Sequence, residues 1–334
     1  MTMKIEQRTM RRRILTLVLP VLLLFASFYG LTYGSVPISL GDVWNTLTNQ
    51  GTDVQETIIK DLRLPRVIIG LLVGACLAVS GALLQGVMKN PLADPGIIGV
   101  TAGGGLAACV IMLIFPALSY LLPLAAFAGA FLTSLVIYFL AWDKGASPLK
   151  IILAGVAISA LLSAVQNGIM NIYSDRVQSV ISWLSGGLSG RSWYHLEFMY
   201  PYALIGLALS FFAIKPVNLL MLGDDSAKLL GQRVELTRLT IILLASFLAG
   251  AAVSVAGLVG FVGLVIPHII RILIGSDYRY LLPFSALGGA ALVVFADTIA
   301  RTWFDPIELP VGILLAALGA PFFMILLKKR RLVG

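Results

Sequence analysis

Few side chains in this 334-residue sequence have the type and spacing to do chemistry, and most of those are arginines. Leu62-Arg63-Leu64-Pro65-Arg66 sets two guanidiniums three positions apart at the start of an apolar run. Pro65 suits the first turn of a helix, where its missing N–H costs nothing. Arginines so placed can snorkel to lipid phosphates or grip the carboxylates of a partner protein through paired hydrogen bonds. Spacing alone leaves both readings open. Arg301 is a third such arginine, with Asp297 one helical turn before it, a spacing that lets the two neutralise each other. Gln85, Gln166, Asn167 and Asn171 are polar residues inside apolar segments, and Asn167 and Asn171 share one helix face. Such residues either bond neighbouring helices or line a path.

Catalysis has no constellation here. There is no Gly-x-x-x-x-Gly-Lys-Ser/Thr segment and no Gly-Lys pair, so no phosphate-cradling loop is expected. His195 and His268 lack metal-ligand spacing, and no nucleophile–base pattern occurs. Neither an enzyme nor a resident metal or cofactor is expected.

The elements that must position these residues follow from composition. Hydrophobic residues make up 59% of the chain and charged residues 12%, against about 25% charged in a soluble domain. Mean hydropathy is +0.96. A chain so poor in charge cannot cover a water-facing surface, so its outer surface faces lipid. A bilayer core of about 30 Å takes roughly 20 apolar residues per helix. Apolar windows predict an all-α polytopic helix bundle with spans at 14–34, 64–88, 96–115, 119–141, 149–172, 198–214, 238–257, 259–273, 281–302 and 309–327. The eighth window is the weakest, being short and containing Pro267. The whole chain, 1–334, reads as a single transmembrane domain.

The net charge of +8 raises the question of nucleic acid, but its placement points to a membrane surface. Lys4, Arg8, Arg11, Arg12 and Arg13 precede the first window, and Lys328-Lys329-Arg330-Arg331 follows the last. The positive-inside rule puts both clusters, hence both termini, in the cytoplasm. The run from Ile14 to Gly34 reads as a retained span rather than a signal peptide. Cytoplasmic segments are then 89–95, 142–148, 215–237 and 274–280. Of 24 Lys and Arg, only Lys60, Arg63, Arg66, Arg176, Arg191 and Arg301 fall outside, whereas acids such as Asp42, Asp61, Asp305 and Glu308 lie there freely. Cys76 and Cys109 lie in apolar segments and read as buried thiols.

Two further patterns stand out. A shift of 176 residues pairs Gly74 with Gly250, Ala75 with Ala251, Gly81 with Gly257 and Pro91 with Pro267, a candidate inverted repeat. In the longest cytoplasmic segment, 215–237, Asp224 and Asp225 suit the start of a short helix and Gly231 its end. Leu222, Leu229 and Leu230 give that helix an apolar side. By itself this reads equally as an ordinary interfacial helix.

The sequence resembles the FecCD-type permeases of ATP-binding-cassette importers, which move ferric siderophores, haem or cobalamin. The resemblance is carried by Arg63-Leu-Pro-Arg66, Ser80-Gly-Ala-Leu-Leu-Gln-Gly86, Asn90-Pro-Leu-Ala-Asp-Pro-Gly-Ile-Ile-Gly99 and Gly260-Phe-Val-Gly-Leu-Val-Ile-Pro-His-Ile-Ile-Arg271. Ala296-Asp-Thr-Ile-Ala-Arg301, Glu308-Leu-Pro-Val-Gly312 and Leu318-Gly-Ala-Pro-Phe-Phe323 complete it, in family order over nearly the whole chain. It implies ten spans, a homo- or heterodimer with a second permease chain, two cytoplasmic ATPase subunits that carry ATP and Mg, and an extracytoplasmic substrate-binding protein. It also implies a place in a bacterial cytoplasmic membrane. In such permeases the arginines matching Arg63, Arg66 and Arg301 dock the binding protein. The segment matching 222–231 couples to the ATPase, here through Leu222, Gly223, Asp224, Asp225, Ala227, Leu230 and Gly231. The segment 142–148, with Ser147 and Pro148, lies by the cytoplasmic gate. Gln85, Gln166, Asn167 and Asn171 are candidates for the translocation path. The rival from another class is an ion-coupled secondary transporter. It needs intramembrane ionisable groups, and only Asp297 qualifies.

Overall fold

A computed structural model gives the fold and describes residues 5–331 apart from 144, 146, 305 and 306. Lys4, Lys144 and Asp305 lie outside the described residues, as do the side chains of Lys329, Arg330 and Arg331. Helix is the secondary structure that lets a lone apolar segment satisfy its own backbone in lipid. The helices are α1 (Ile5–Thr32), α2 (Leu40–Leu47), α3 (Asp53–Glu56), α4 (Leu64–Val87), α5 (Val100–Cys109), α6 (Leu122–Leu140) and α7 (Pro148–Ile172). They continue with α8 (Val177–Leu184), α9 (Trp193–Leu220), α10 (Asp224–Leu229), α11 (Val234–Ala256), α12 (Val262–Ile274), α13 (Tyr278–Thr302) and α14 (Val311–Arg331). A π-helical stretch, Thr57–Arg63, leads from α3 into α4.

Among the described residues, seven helices are long and apolar enough to cross a membrane: α1, the continuous α3–α4 segment, α6 (with the turn before it), α7, α9, α11 and α13. Three shorter apolar stretches, Val100–Ile114, Val262–Ile274 and Val311–Ile325, occupy the remaining predicted windows. The eighth window is the clearest departure. The 13 residues of α12 rise only about 20 Å, less than a bilayer core. The chain reaches α12 through Gly257 and Phe261, both at positive φ. Connections between the predicted windows also hold helices. Segment 35–63 contains α2 and α3, and segment 173–197 contains α8, which buries Val180 and Trp183.

Helix α4 is the centre. It is buried without interruption from Val73 to Val87 and packs against α9, α11, α12 and α13. Lipid is as apolar as leucine, so helices associate here by close packing of small residues. A Cβ on Gly74 would strike the carbonyl of Gly289 on α13, and one on Gly81 would strike Gly263 on α12. Gly103 on α5 meets Gly129 on α6 in the same way. Helix α7 is the opposite case, with only Ile151 and Gly155 buried among its 25 residues.

The gapless 176-residue shift matches local structure at some of its paired positions and not at others. Gly74 and Gly250 are both buried inside helices. Gly81, however, lies within α4, whereas Gly257 ends α11. Pro91 lies in a loop, whereas Pro267 lies inside α12.

Gly81→Leu should destabilise the protein by roughly 3 kcal/mol or more, because backbone faces the added side chain. Thermal unfolding in detergent tests this. An unchanged midpoint would contradict the packing described.

Candidate functional site

Two polar clusters sit at opposite ends of α4. At its start, the π-helical stretch and Pro65 aim Arg63 and Arg66 in different directions. Arg63 is 5% exposed. It donates to the carbonyls of Leu31 (2.7 Å) and Thr32 (2.8 Å) at the end of α1, and to Val36 O. The last turn of α1 leaves carbonyls unpaired, and the guanidinium caps them. Arg301, also 5% exposed, donates to Gly30 O in the same turn. Arg66 donates through Nε and Nη2 to both oxygens of Asp297 at 2.9 and 3.0 Å, and through Nη1 to Glu308 at 3.0 Å.

The expected Asp297–Arg301 pair is therefore corrected. Asp297 faces α4 across the glycine contact and meets Arg66, while Arg301 turns to α1. The arginines are also not free side chains at a lipid-facing mouth. Arg63, Arg66 and Arg301 line one cavity of about 340 Å³ together with Arg191, Ser189, Ser192 and Glu308. Four cations face two anions there, Glu308 in the wall and Asp297 behind Arg66. The cavity carries an excess of two positive charges. Burial and the neighbouring Arg66 charge lower the Arg191 pKa. Burial raises the Glu308 pKa, but Arg66, Ser189 and Arg301 outweigh it and hold the carboxyl below its ordinary value. Such a cavity fits a carboxylate or another small oxyanion.

At the far end, α4 stops before Lys89, whose φ is +49°. Lys89 Nζ donates to Asp224 Oδ1 at 2.7 Å, and Arg238 Nη2 on α11 donates to Asp224 Oδ2 at 2.9 Å. Arg238, 2% exposed, also reaches Glu235 at 3.2 Å. Asp224 thus ties α10 to both α4 and α11. The predicted helix forms between Gly223 and Gly231, with Ala227 buried and Asp225 exposed. Leu222, Leu229 and Leu230 point into solvent, Leu229 at 89% exposure.

The remaining candidates divide. Gln85 is buried, donating to Gly263 O at 3.1 Å and accepting from Arg271 Nη1 at 2.7 Å. It bonds helices rather than lining an open path. Gln166 is half-buried, its Nε2 toward Met170 Sδ at 3.9 Å. Asn167 and Asn171 are exposed on α7. Ser147 caps α7 by accepting from Lys150 N–H at 3.3 Å, and Pro148 fills its first turn. These six residues do not meet the arginine cavity. The residues that sequence reasoning missed are Arg191, Glu308, Lys89 and Arg238. Arg191 did carry a signal, as one of the few basic residues against the positive-inside trend. Glu308 sits within a family motif, and Lys89 immediately precedes one. Arg238 carried none. The thiols of Cys76 and Cys109 are buried, as expected.

Comparisons with known proteins identify the family and agree with the fold. The family model described as the FecCD transport family matches residues 22–329. The Fe(3+)-citrate import system permease protein YfmD of Bacillus subtilis is 40% identical over 326 residues, covering 98% of each chain. The hemin transport system permease protein HmuU of Yersinia pestis is 39% identical, covering 93% of this chain and 94% of its own. A solved structure described as a metal-chelate type ABC transporter in an inward-facing conformation superposes with a TM-score of 0.83 at 32% identity. It covers 95% of this chain and 99% of its own.

The latch at Asp224 has a defined pH range. Burial raises the Asp224 pKa, but hydrogen bonds from Lys89 and Arg238 outweigh it and the pKa is lowered. A carboxylate with a depressed pKa contributes stability above its ordinary range and loses it as pH falls below that range. Nitroxide mobility at a Leu229→Cys label should therefore stay flat from about pH 8 to about pH 5 and rise only in stronger acid. Loosening between about pH 8 and pH 6 would contradict the assignment.

Proposed function

The chain belongs to the FecCD transport family, and from that premise we propose that it passes a ferric siderophore or related iron chelate through a bacterial cytoplasmic membrane. It is a multi-pass permease subunit of an ATP-driven importer. ATP and Mg are handled by two cytoplasmic ATPase subunits, and the cargo arrives on an extracytoplasmic binding protein. The end holding the arginine cavity then faces out, and the end holding α10 and both chain termini faces the cytoplasm. Relatives of similar identity are named for ferric citrate and for hemin, so overall identity does not select the chelate.

One observation carries the coupling role. Helix α10 and its two flanks expose Leu222, Leu229 and Leu230 to solvent while Asp224 fastens the helix to α4 and α11. Exposed leucines at the end of a membrane bundle suit a partner's groove, and the latch passes a push on α10 to the central helix. The arginine cavity supports the docking role, with Arg63, Arg66 and Arg301 among its cations. The exposed Asn167 and Asn171 on α7 are costly against lipid. A second permease chain facing α7 removes that cost and places them on a shared path, with Ser147 and Pro148 at its cytoplasmic end. Ion-coupled transport loses its one candidate group, because Arg66 neutralises Asp297 with a fork of two hydrogen bonds.

Leu229→Asp should abolish stimulation of the ATPase by loaded binding protein while the permease still inserts and folds. Retained stimulation would overturn the coupling role. Arg63→Gln, Arg66→Gln and Arg301→Gln should each weaken binding-protein affinity about tenfold, the loss of one charge-assisted bond. Unchanged affinity in all three folded variants would overturn the docking role.

A further inference from the structure

We propose that Glu308 is a resident carboxylate in the arginine cavity, which a carboxylate of the docking protein exchanges for itself, and that Arg191 is the fourth cation receiving it. The proposal rests on the docking role given above.

Among the described residues, Arg191 is the cavity arginine that bonds neither a carboxylate nor a backbone carbonyl. It lies between α8 and α9 and lines the cavity. Its Nε is buried with no hydrogen-bond partner, and its Nη1 faces only His195 Nε2 at 3.4 Å. The Nε of Arg301 is buried and unpartnered in the same cavity. Buried donors left unmet cost free energy, and two on neighbouring guanidiniums point to an anion that is still to come.

The two carboxylates differ in kind. Asp297 takes two bonds from Arg66, and its side chain is 6% exposed. Glu308 takes one from Arg66, through Nη1, and another from the Ser189 side chain, and its own side chain is 35% exposed. It stands in the connection between α13 and α14 rather than inside a helix. Glu308 is therefore the more open of the two carboxylates on Arg66 and the easier one to exchange. Its departure would free Arg66 Nη1 beside Arg191 without disturbing the Arg66–Asp297 fork. Two donors from different arginines would then receive the incoming carboxylate.

The same residues form a wall. Arg66, Arg191, Ser189 and Glu308 also line a neighbouring cavity of about 460 Å³ that reaches Trp183 and Pro310. Exchange at Glu308 therefore alters the boundary between the two cavities. A resident carboxylate also sets a threshold. A small free anion must compete with Glu308 unaided, whereas a docked protein brings the rest of its interface.

Citrate, a small carboxylate probe, tests the exchange without the partner. In nanodiscs, half-maximal thermal protection of Glu308→Gln should need about tenfold less citrate than wild type, which corresponds to about 1.4 kcal/mol. Adding Arg191→Gln to that variant should cancel the gain. Binding-protein affinity should rise several-fold in Glu308→Gln and fall in Arg191→Gln. If Glu308 merely orients Arg66, Glu308→Gln will weaken both readouts or leave them unchanged, and that result overturns the proposal. The arginine variants of the preceding section separate the two ideas. If they weaken docking while Glu308→Gln tightens nothing, exchange alone fails. If they leave docking unchanged, both fail.

Discussion

An arginine at the edge of a hydrocarbon layer must have its charge met, and Arg66 meets it with a fork onto Asp297. Breaking such a pair by removing one partner leaves an uncompensated buried charge, a loss of about 3–5 kcal/mol. The fork crosses from α4 to α13 at the end of the same contact where Gly74 lies against Gly289. Close backbones bring the carboxylate within reach, and the carboxylate fixes how the helices rotate. Arg63 and Arg301 finish the junction by capping the last turn of α1. Three helices meet at three guanidiniums, and the cavity is what remains between them.

Helix α4 joins this junction to the other end. Its 24 residues span about 36 Å, roughly the depth of a bilayer core with some tilt. Past its last turn, Lys89 bonds Asp224 and thereby α10. One rigid element thus begins among the arginines proposed to dock the binding protein and ends at the surface proposed to meet the ATPase. Ser80 Oγ donates to Ala245 O of α11 at 2.6 Å, and Tyr278 OH of α13 donates to Ala82 O at 2.8 Å. Such buried bonds make the centre stiff, so a displacement at either end moves α4 as a body.

Much of the fold was legible because lipid imposes a simple rule. Apolar windows located the spanning helices and the shorter α5, α12 and α14, and the Gly-Asp-Asp segment located α10, whereas the short helices α2, α3 and α8 fell outside every window. Helix lengths were less legible, because α12 begins only where Gly257 and Phe261 break the chain at positive φ, and apolar composition runs through that break. The arginines were legible as charges against the positive-inside trend. Their partners were not. Asp297 sits one turn from Arg301 in sequence, yet packing of α13 on α4 hands it to Arg66, a choice that tertiary rotation makes. Gln85 shows the same limit. Composition marks it as polar within a span, and only the approach of α12 shows that Gly263 and Arg271 satisfy it.

Import driven by a partner's ATP hydrolysis is the central claim, and uptake into sealed proteoliposomes measures it directly. The permease dimer would be reconstituted with its ATPase subunits and binding protein, with a radiolabelled ferric siderophore as cargo. Accumulation should require ATP on the ATPase side and should persist when protonophore and ionophore dissipate every ion gradient. Accumulation driven by an ion gradient in liposomes lacking the ATPase would contradict it.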